Sequence, residues 1–167
     1  FARTPKKVSP LDNPDDKVAY FPGCSASSSA REYDLTVRST ADVLNINLVE
    51  PPGWVCCGSS SAHATDSTQA SVFPLRTMST IERMGMTKVT SPCSNCFARL
   101  KMAEHQGSQD KQALQQTEEI TEYKYQGKVR VQHFVDTILD HATPERIEEK
   151  VQRPLEGLKV ACYYGCL

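Results

Sequence analysis

The sequence predicts an α/β layered domain with a mainly parallel sheet, and three observations carry that prediction. Short apolar runs alternate with segments of helical periodicity along the chain. The runs end in Gly- or Pro-containing turns, as strands do when they feed crossover helices. With 167 residues, 39% of them apolar, the chain is long enough to bury one core.

Residues 1–16 carry Pro5, Pro10 and Pro14 among charged and small residues without apolar periodicity, and read as an arm or linker. Lys17–Phe21 is a strand, ended by the turn Pro22-Gly23-Cys24. Ser29 and Glu32 have the spacing of a capping box, and Tyr33, Val37, Ala41 and Leu44 then form the inner face of a helix running to about Asn45. Ile46–Val49 is a second strand, stopped by Pro51-Pro52-Gly53, after which Trp54-Val55 leads into Cys56-Cys57-Gly58. A helix from about Thr65 to Met84 presents Ala70, Phe73, Thr77, Ile81 and Met84, with Pro74 as a kink or true start and Gly85 as its stop. Thr87–Thr90 is a third strand that delivers Pro92-Cys93-Ser94-Asn95-Cys96 to its end. Phe97–Glu104 begins a helix with Phe97 and Leu100 inward. Residues 104–126, rich in Gln, Glu and Lys, read as a solvated helix or partly ordered excursion. Val129–Val131 is a strand, Phe134, Val135, Ile138 and Leu139 mark an amphipathic helix, Pro144 and Pro154 bracket another, and Leu158–Tyr164 is a closing strand.

Residues 17–24 read KVAYFPGC and residues 159–166 read KVACYYGC, agreeing at Lys, Val, Ala, Gly and Cys. This is the start of an internal repeat. The expected organisation is therefore an arm over 1–16, a first domain over 17–157, and the first strand and turn of a second copy over 158–167. Cys166 then corresponds to Cys24, whereas Cys162 falls opposite Tyr20.

Nineteen basic against twenty acidic residues give no electrostatic reason to expect nucleic acid or an anionic membrane as partner. No run of eighteen apolar residues marks a membrane span, and the opening residues lack the apolar middle of a signal peptide. Seven cysteines, one pair adjacent and one pair as Cys-x-x-Cys, fit a disulfide framework poorly and point to metal or redox chemistry in a reducing, cytoplasmic compartment.

Five of them, Cys24, Cys56, Cys57, Cys93 and Cys96, fall where predicted strands end. In a parallel sheet those ends share one edge, so cysteines distant in sequence converge there. Helix N-termini at the same edge stabilise thiolates. Five thiolates in one pocket repel each other unless a cation lies between them, and thiolate-rich sites are the usual setting of iron–sulfur clusters. Three other readings compete. Structural zinc needs two knuckles, and Cys56-Cys57 is a poor one. A thioredoxin-like pair at Cys93–Cys96 leaves the doublet unexplained. Inert burial accounts for Cys162 better than for a doublet followed by Gly58.

This arrangement resembles the cysteine-rich CCG domain, and the residues around it, over 17–50, 51–66, 88–104 and 154–167, are similar to the B subunit of heterodisulfide reductase. The resemblance implies a non-cubane 4Fe-4S cluster held by the five cysteines, with Cys166 as first ligand of a second, incomplete site. It implies partner subunits carrying flavin and ferredoxin-like centres, and a small disulfide as substrate, that of coenzymes M and B or a related thiol or sulfur species. One alternative is an electron-relay CCG subunit of a dehydrogenase of glycolate-oxidase or thiol:fumarate-reductase type. Another, from a different class, is a zinc-stabilised interaction module.

Gly23, Gly58 and Trp54 are expected to support the cysteine loops, Trp54 by packing that excludes water. His63 is a weak candidate proton donor to a leaving thiolate, its ordinary role being a hydrogen bond near the cluster. His105, His133 and His141 are expected in solvated positions. Arg31 and Arg38 are expected on the polar side of the first helix, as surface charge or facing an anionic substrate or partner.

Overall fold

The computed structural model describes residues 17–59, 62–107 and 109–162. The arm over 1–16 and Cys166 lie outside the described residues. Four parallel strands, β1 (Lys17–Tyr20), β2 (Asn47–Val49), β3 (Lys88–Ser91) and β4 (Arg130–His133), form a sheet in the order β2-β1-β3-β4. The predicted α/β class and parallel sheet are therefore what the chain adopts.

Alternating side chains on β1 show why two helical layers are needed. Val18 and Tyr20 face one side, packing with Val37 and Ala41 of α2 (Arg31–Val43) and with Phe134 of α7 (Phe134–His141). Ala19 and the following Phe21 face the other side. There they join Leu75, Met78 and Ile81 of α4 (Ser67–Arg83), Leu100 of α5 (Ser94–Met102) and Ala113 of α6 (Lys111–Thr121). The chain leaves β1 toward β2 and then crosses back over β1 to β3. The switch point of the sheet thus lies between β1 and β3, and the carboxyl ends of those strands flank it.

Local chemistry explains most boundaries. Asp66 caps α4 by accepting from the Thr68 and Gln69 amides, and Gly85 at φ +77° follows its end. Pro74 sits within α4 rather than at its start. Thr143 caps α8 (Pro144–Lys150), where Pro144 takes the first turn that needs no amide donor.

Several sequence expectations give way here. Ser29 does not cap α2, whose N-cap is Ala30 with no side-chain cap, because a separate short helix, α1 (Gly23–Ala26), occupies the chain after β1. Tyr33 and Met84 are substantially exposed rather than inward, as are Val135 and Leu139 on α7, where Phe134, Thr137 and His141 make the inner face. Residues 111–121 of the Gln-rich stretch form α6, a helix packed on α4 through Ala113 and Thr117, both fully buried. Small side chains let that helix approach closely, which an apolar-periodicity reading does not register. Residues 158–162 pair with no strand and are exposed, so the expected closing strand is not formed over them.

Candidate metal centre

Each of the three turns that follow β1, β2 and β3 carries cysteines, and the sheet edge gathers them. Cys24 lies in α1 immediately after β1. Cys56 and Cys57 lie in the loop beyond β2, and Cys93 and Cys96 bracket the start of α5 beyond β3. Cys57 and Cys96 are buried, Cys56 and Cys93 half-buried, and Cys24 exposed.

The sulfurs form a connected chain of contacts. The Cys96 thiol lies beside the Cys57 and Cys93 sulfurs, and their company pushes its own titration far up. Those two sulfurs are correspondingly stabilised as thiolates. The Cys96 thiol, opposed by burial and helped by the Asn95 and Cys96 amides, brings Cys93 down to about 5, with a further contribution from His133. The same thiol and the Ser59 amide bring Cys57 down to about 6 against burial and the charge of Cys93. At Cys56 the Gly58 amide pulls downward, but burial and the adjoining Cys57 and Cys24 sulfurs outweigh it and raise the thiol. All five predicted cysteines are thus brought together. Among the described residues no three His, Cys, Asp or Glu side chains form a group placed to hold a metal ion. A string of five soft donors suits a centre with several metal atoms better than one ion.

Two glycines make the approach feasible. Gly23 adopts φ +78°, and a Cβ there would stand 2.7 Å from Cys96 Sγ. A side chain at this position would push α1 off the Cys96 sulfur, so the absence of one brings the Cys24 segment against α5. Gly58, also at φ +78°, turns the backbone directly after the doublet. The chemistry of the donor set, five thiols and no hard oxygen ligand, is of the kind that iron–sulfur clusters use.

The wall of the site is aromatic and anchored. Trp54 meets Phe21 edge-to-face at 5.2 Å, and its indole N–H donates to Glu50 Oε1 at 2.8 Å. Glu50 in turn accepts from Arg38 at 2.6 Å, Arg38 pairs with Asp34 at 2.9 Å, and Tyr20 donates its hydroxyl to Asp34 at 2.6 Å. Arg38 also lies over the Tyr20 ring, 4.8 Å from its centroid. Arg38 is therefore committed to the doublet loop's support, whereas Arg31 is simply exposed. Tyr33 donates to the Pro92 carbonyl at 3.2 Å, tying α2 to the loop ahead of Cys93.

Of the histidines, His63 falls in α3 (Ala62–Thr65), and its side chain is not described. His141, expected in solvent, is 5% exposed, with Nδ1 2.9 Å from the Thr137 carbonyl. His133 is a neighbour of the site that sequence reasoning missed. It caps α7, accepting from the Val135 amide, and meets Phe97 edge-to-face at 5.7 Å. Its place at a strand end, like that of the cysteines, was the available signal. Cys162 is exposed on the segment beyond α8.

Residues 18–101, half of the chain, match the family model described as the CCG cysteine-rich domain. The chain belongs to that family. It is 34% identical over 153 residues to the 8-methylmenaquinol:fumarate reductase membrane anchor subunit of Wolinella succinogenes, a match covering 90% of this chain and 52% of that protein. It is 24% identical to a heterodisulfide reductase B-subunit-like protein of Archaeoglobus profundus, over 90% of this chain and 51% of the relative. It is 25% identical to the B subunit of the ferredoxin/F420H2-dependent CoB-CoM heterodisulfide reductase of Methanosarcina acetivorans, with the same coverages. This CCG-domain chain is thus related both to the B subunits of heterodisulfide reductases and to a fumarate reductase anchor, and spans about half the length of these curated relatives. No helix of the described residues is long and apolar enough to cross a membrane.

Proposed function

We propose that Cys24, Cys56, Cys57, Cys93 and Cys96 hold one iron–sulfur cluster, of the non-cubane 4Fe-4S type, and that the chain is the electron-passing subunit of a reductase complex of the heterodisulfide-reductase kind. The observation that supports this reading best is that cysteines from the loops after β1, β2 and β3 neighbour one another and perturb one another's titration. The bound cluster supplies one-electron redox steps. The chain's own residues present Cys57 and Cys93 as thiolates ready to bind iron. They bring α1 against the Cys96 sulfur through Gly23, and cover the doublet loop with Trp54. The electrons reach a disulfide, that of coenzymes M and B or a related thiol or sulfur substrate. Flavin-containing and ferredoxin-like subunits supply them in the cytoplasm, and Cys166 opens a second site on the strength of the repeat.

A second reading is an electron relay that touches no disulfide. The 34% identity to a fumarate reductase subunit favours it over the weaker likeness to the heterodisulfide reductases. One preparation tests both. The chain is loaded with iron and sulfide without oxygen, its metal and sulfide are measured, and its paramagnetic spectrum is recorded with and without a disulfide. About four irons with matching sulfide support the cluster, whereas one zinc and no sulfide would end it. A spectrum altered by the disulfide supports the first reading, and one indifferent to it the relay.

A further inference from the structure

Ser91 ends β3 and is 0% exposed, yet its hydroxyl has no hydrogen-bond partner among the described residues. A buried hydroxyl without a partner costs free energy that folded chains rarely leave uncompensated. Its surroundings follow from the alternation of the strands. Thr90 points to the α2/α7 side, where its hydroxyl accepts from Thr137 at 2.8 Å. Ser91 therefore points to the opposite side with Val89, which packs in the cluster that includes Cys57, Cys96, Phe21 and Leu100. The next strand places His133 opposite Ser91, and that imidazole accepts from the Val135 amide instead. The hydroxyl thus lies two residues ahead of Cys93, on the face of the sheet that Val89 shares with Cys57 and Cys96.

We infer that Ser91 is the hydrogen-bond donor to the sulfur of the cluster, and that it sets the cluster's reduction potential. The inference rests on the cluster reading above. Reduction adds an electron to a sulfur-rich centre, so a donor to sulfur stabilises the reduced form and raises the potential. The partner missing in the protein fold is supplied when the cluster is bound.

Two variants of the full chain and a control test it. Ser91→Ala removes the donor, Ser91→Thr keeps it, and Thr90→Val breaks the hydroxyl pair on the other side of the strand. Iron content, the potential from a spectroscopically monitored redox titration, and melting of the metal-free and loaded proteins are measured. The expected result is a full iron complement in Ser91→Ala with the potential shifted negative. The metal-free variant should melt no lower than wild type, while the loaded one loses stability. Ser91→Thr should restore the potential, and Thr90→Val should leave it in place while lowering both melting temperatures. A Ser91→Ala protein that melts normally without metal but no longer loads iron also supports the donor. An unmoved potential at full iron content overturns it, as does equal destabilisation of both forms. Failure of the wild-type chain to take up iron and sulfide strikes the cluster reading instead.

Discussion

The adjacent pair Cys56-Cys57 is the residue-scale feature that separates this site from an ordinary four-cysteine one. Neighbouring side chains on an extended segment point apart, so both reach one centre only where the backbone turns, and Gly58 at φ +78° supplies that turn. Cys57→Ser is expected to alter or abolish the cluster's spectrum, and Gly58→Val to do the same by straining the turn. Full iron with an unchanged spectrum in Cys57→Ser would return the site to a four-thiolate type. Gly23→Ala is predicted to cost about 1–3 kcal/mol through its left-handed backbone angle alone. Its Cβ would in addition meet the Cys96 sulfur. Denaturant unfolding of the metal-free variant reads the first loss, and iron content the second. Cys162, exposed and beyond α8, is expected to be dispensable. Cys162→Ser should hold as much iron as wild type, and loss of the cluster in that variant would show the repeat register to be wrong.

Elements here are set as much by their ends as by their apolar faces. Asp66 is the clearest case. Its carboxylate satisfies the Thr68 and Gln69 amides, and α4 contributes Val72, Leu75, Met78 and Ile81 to the core beneath the cysteines. Asp66→Ala is predicted to cost about 1 kcal/mol. The midpoint of a denaturant titration should fall without a change of slope. Helix α5 continues into a π-turn over Ala103–Gly107, which puts Glu104 beneath β4. There it accepts from the Val131 amide at 2.8 Å while pairing with Lys101 and Arg130.

At the scale of the whole molecule, two buried carboxylates tie late chain segments to early helices. Glu82 on α4 accepts from the Gln126 and Lys128 amides, each at 2.7 Å, and so fixes the connection from α6 to β4. Glu104 does the same for β4 itself. Burial would raise its titration, but Lys101, the Val131 amide and Arg130 together hold it below the usual carboxylate range. A carboxyl depressed in the folded state stabilises the protein above its unfolded pKa of about 4.3, and the benefit is lost as pH falls through the lower folded value. Glu104→Gln should therefore destabilise the chain by about 1.5–3 kcal/mol at neutral pH. The gap to wild type should close below about pH 4 in urea titrations run across pH. A gap that persists into acid would mean that the side chain acts through shape rather than charge.

The alternation of apolar runs with helical patterns was enough to read the α/β class and the parallel sheet, because both follow from local periodicity and from turn residues. That these cysteines neighbour one another was legible for a related reason: they stand in the loops that follow strands, and a parallel sheet brings those loops to one edge. Tertiary structure alone decided what depends on neighbours distant in the chain. It turned α6 from a solvated stretch into a packed layer, since Ala113 and Thr117 are buried for their small size rather than their hydrophobicity. It placed His141 inside and Tyr33 at the surface, and it drew Arg38 to Glu50, 12 residues away, and Tyr33 to the Pro92 carbonyl, 59 residues away. It also set which face of β3 each hydroxyl occupies. That choice left Thr90 paired and Ser91 buried without a partner beside the cysteines, a difference between adjacent residues that only the layers on either side of the sheet create.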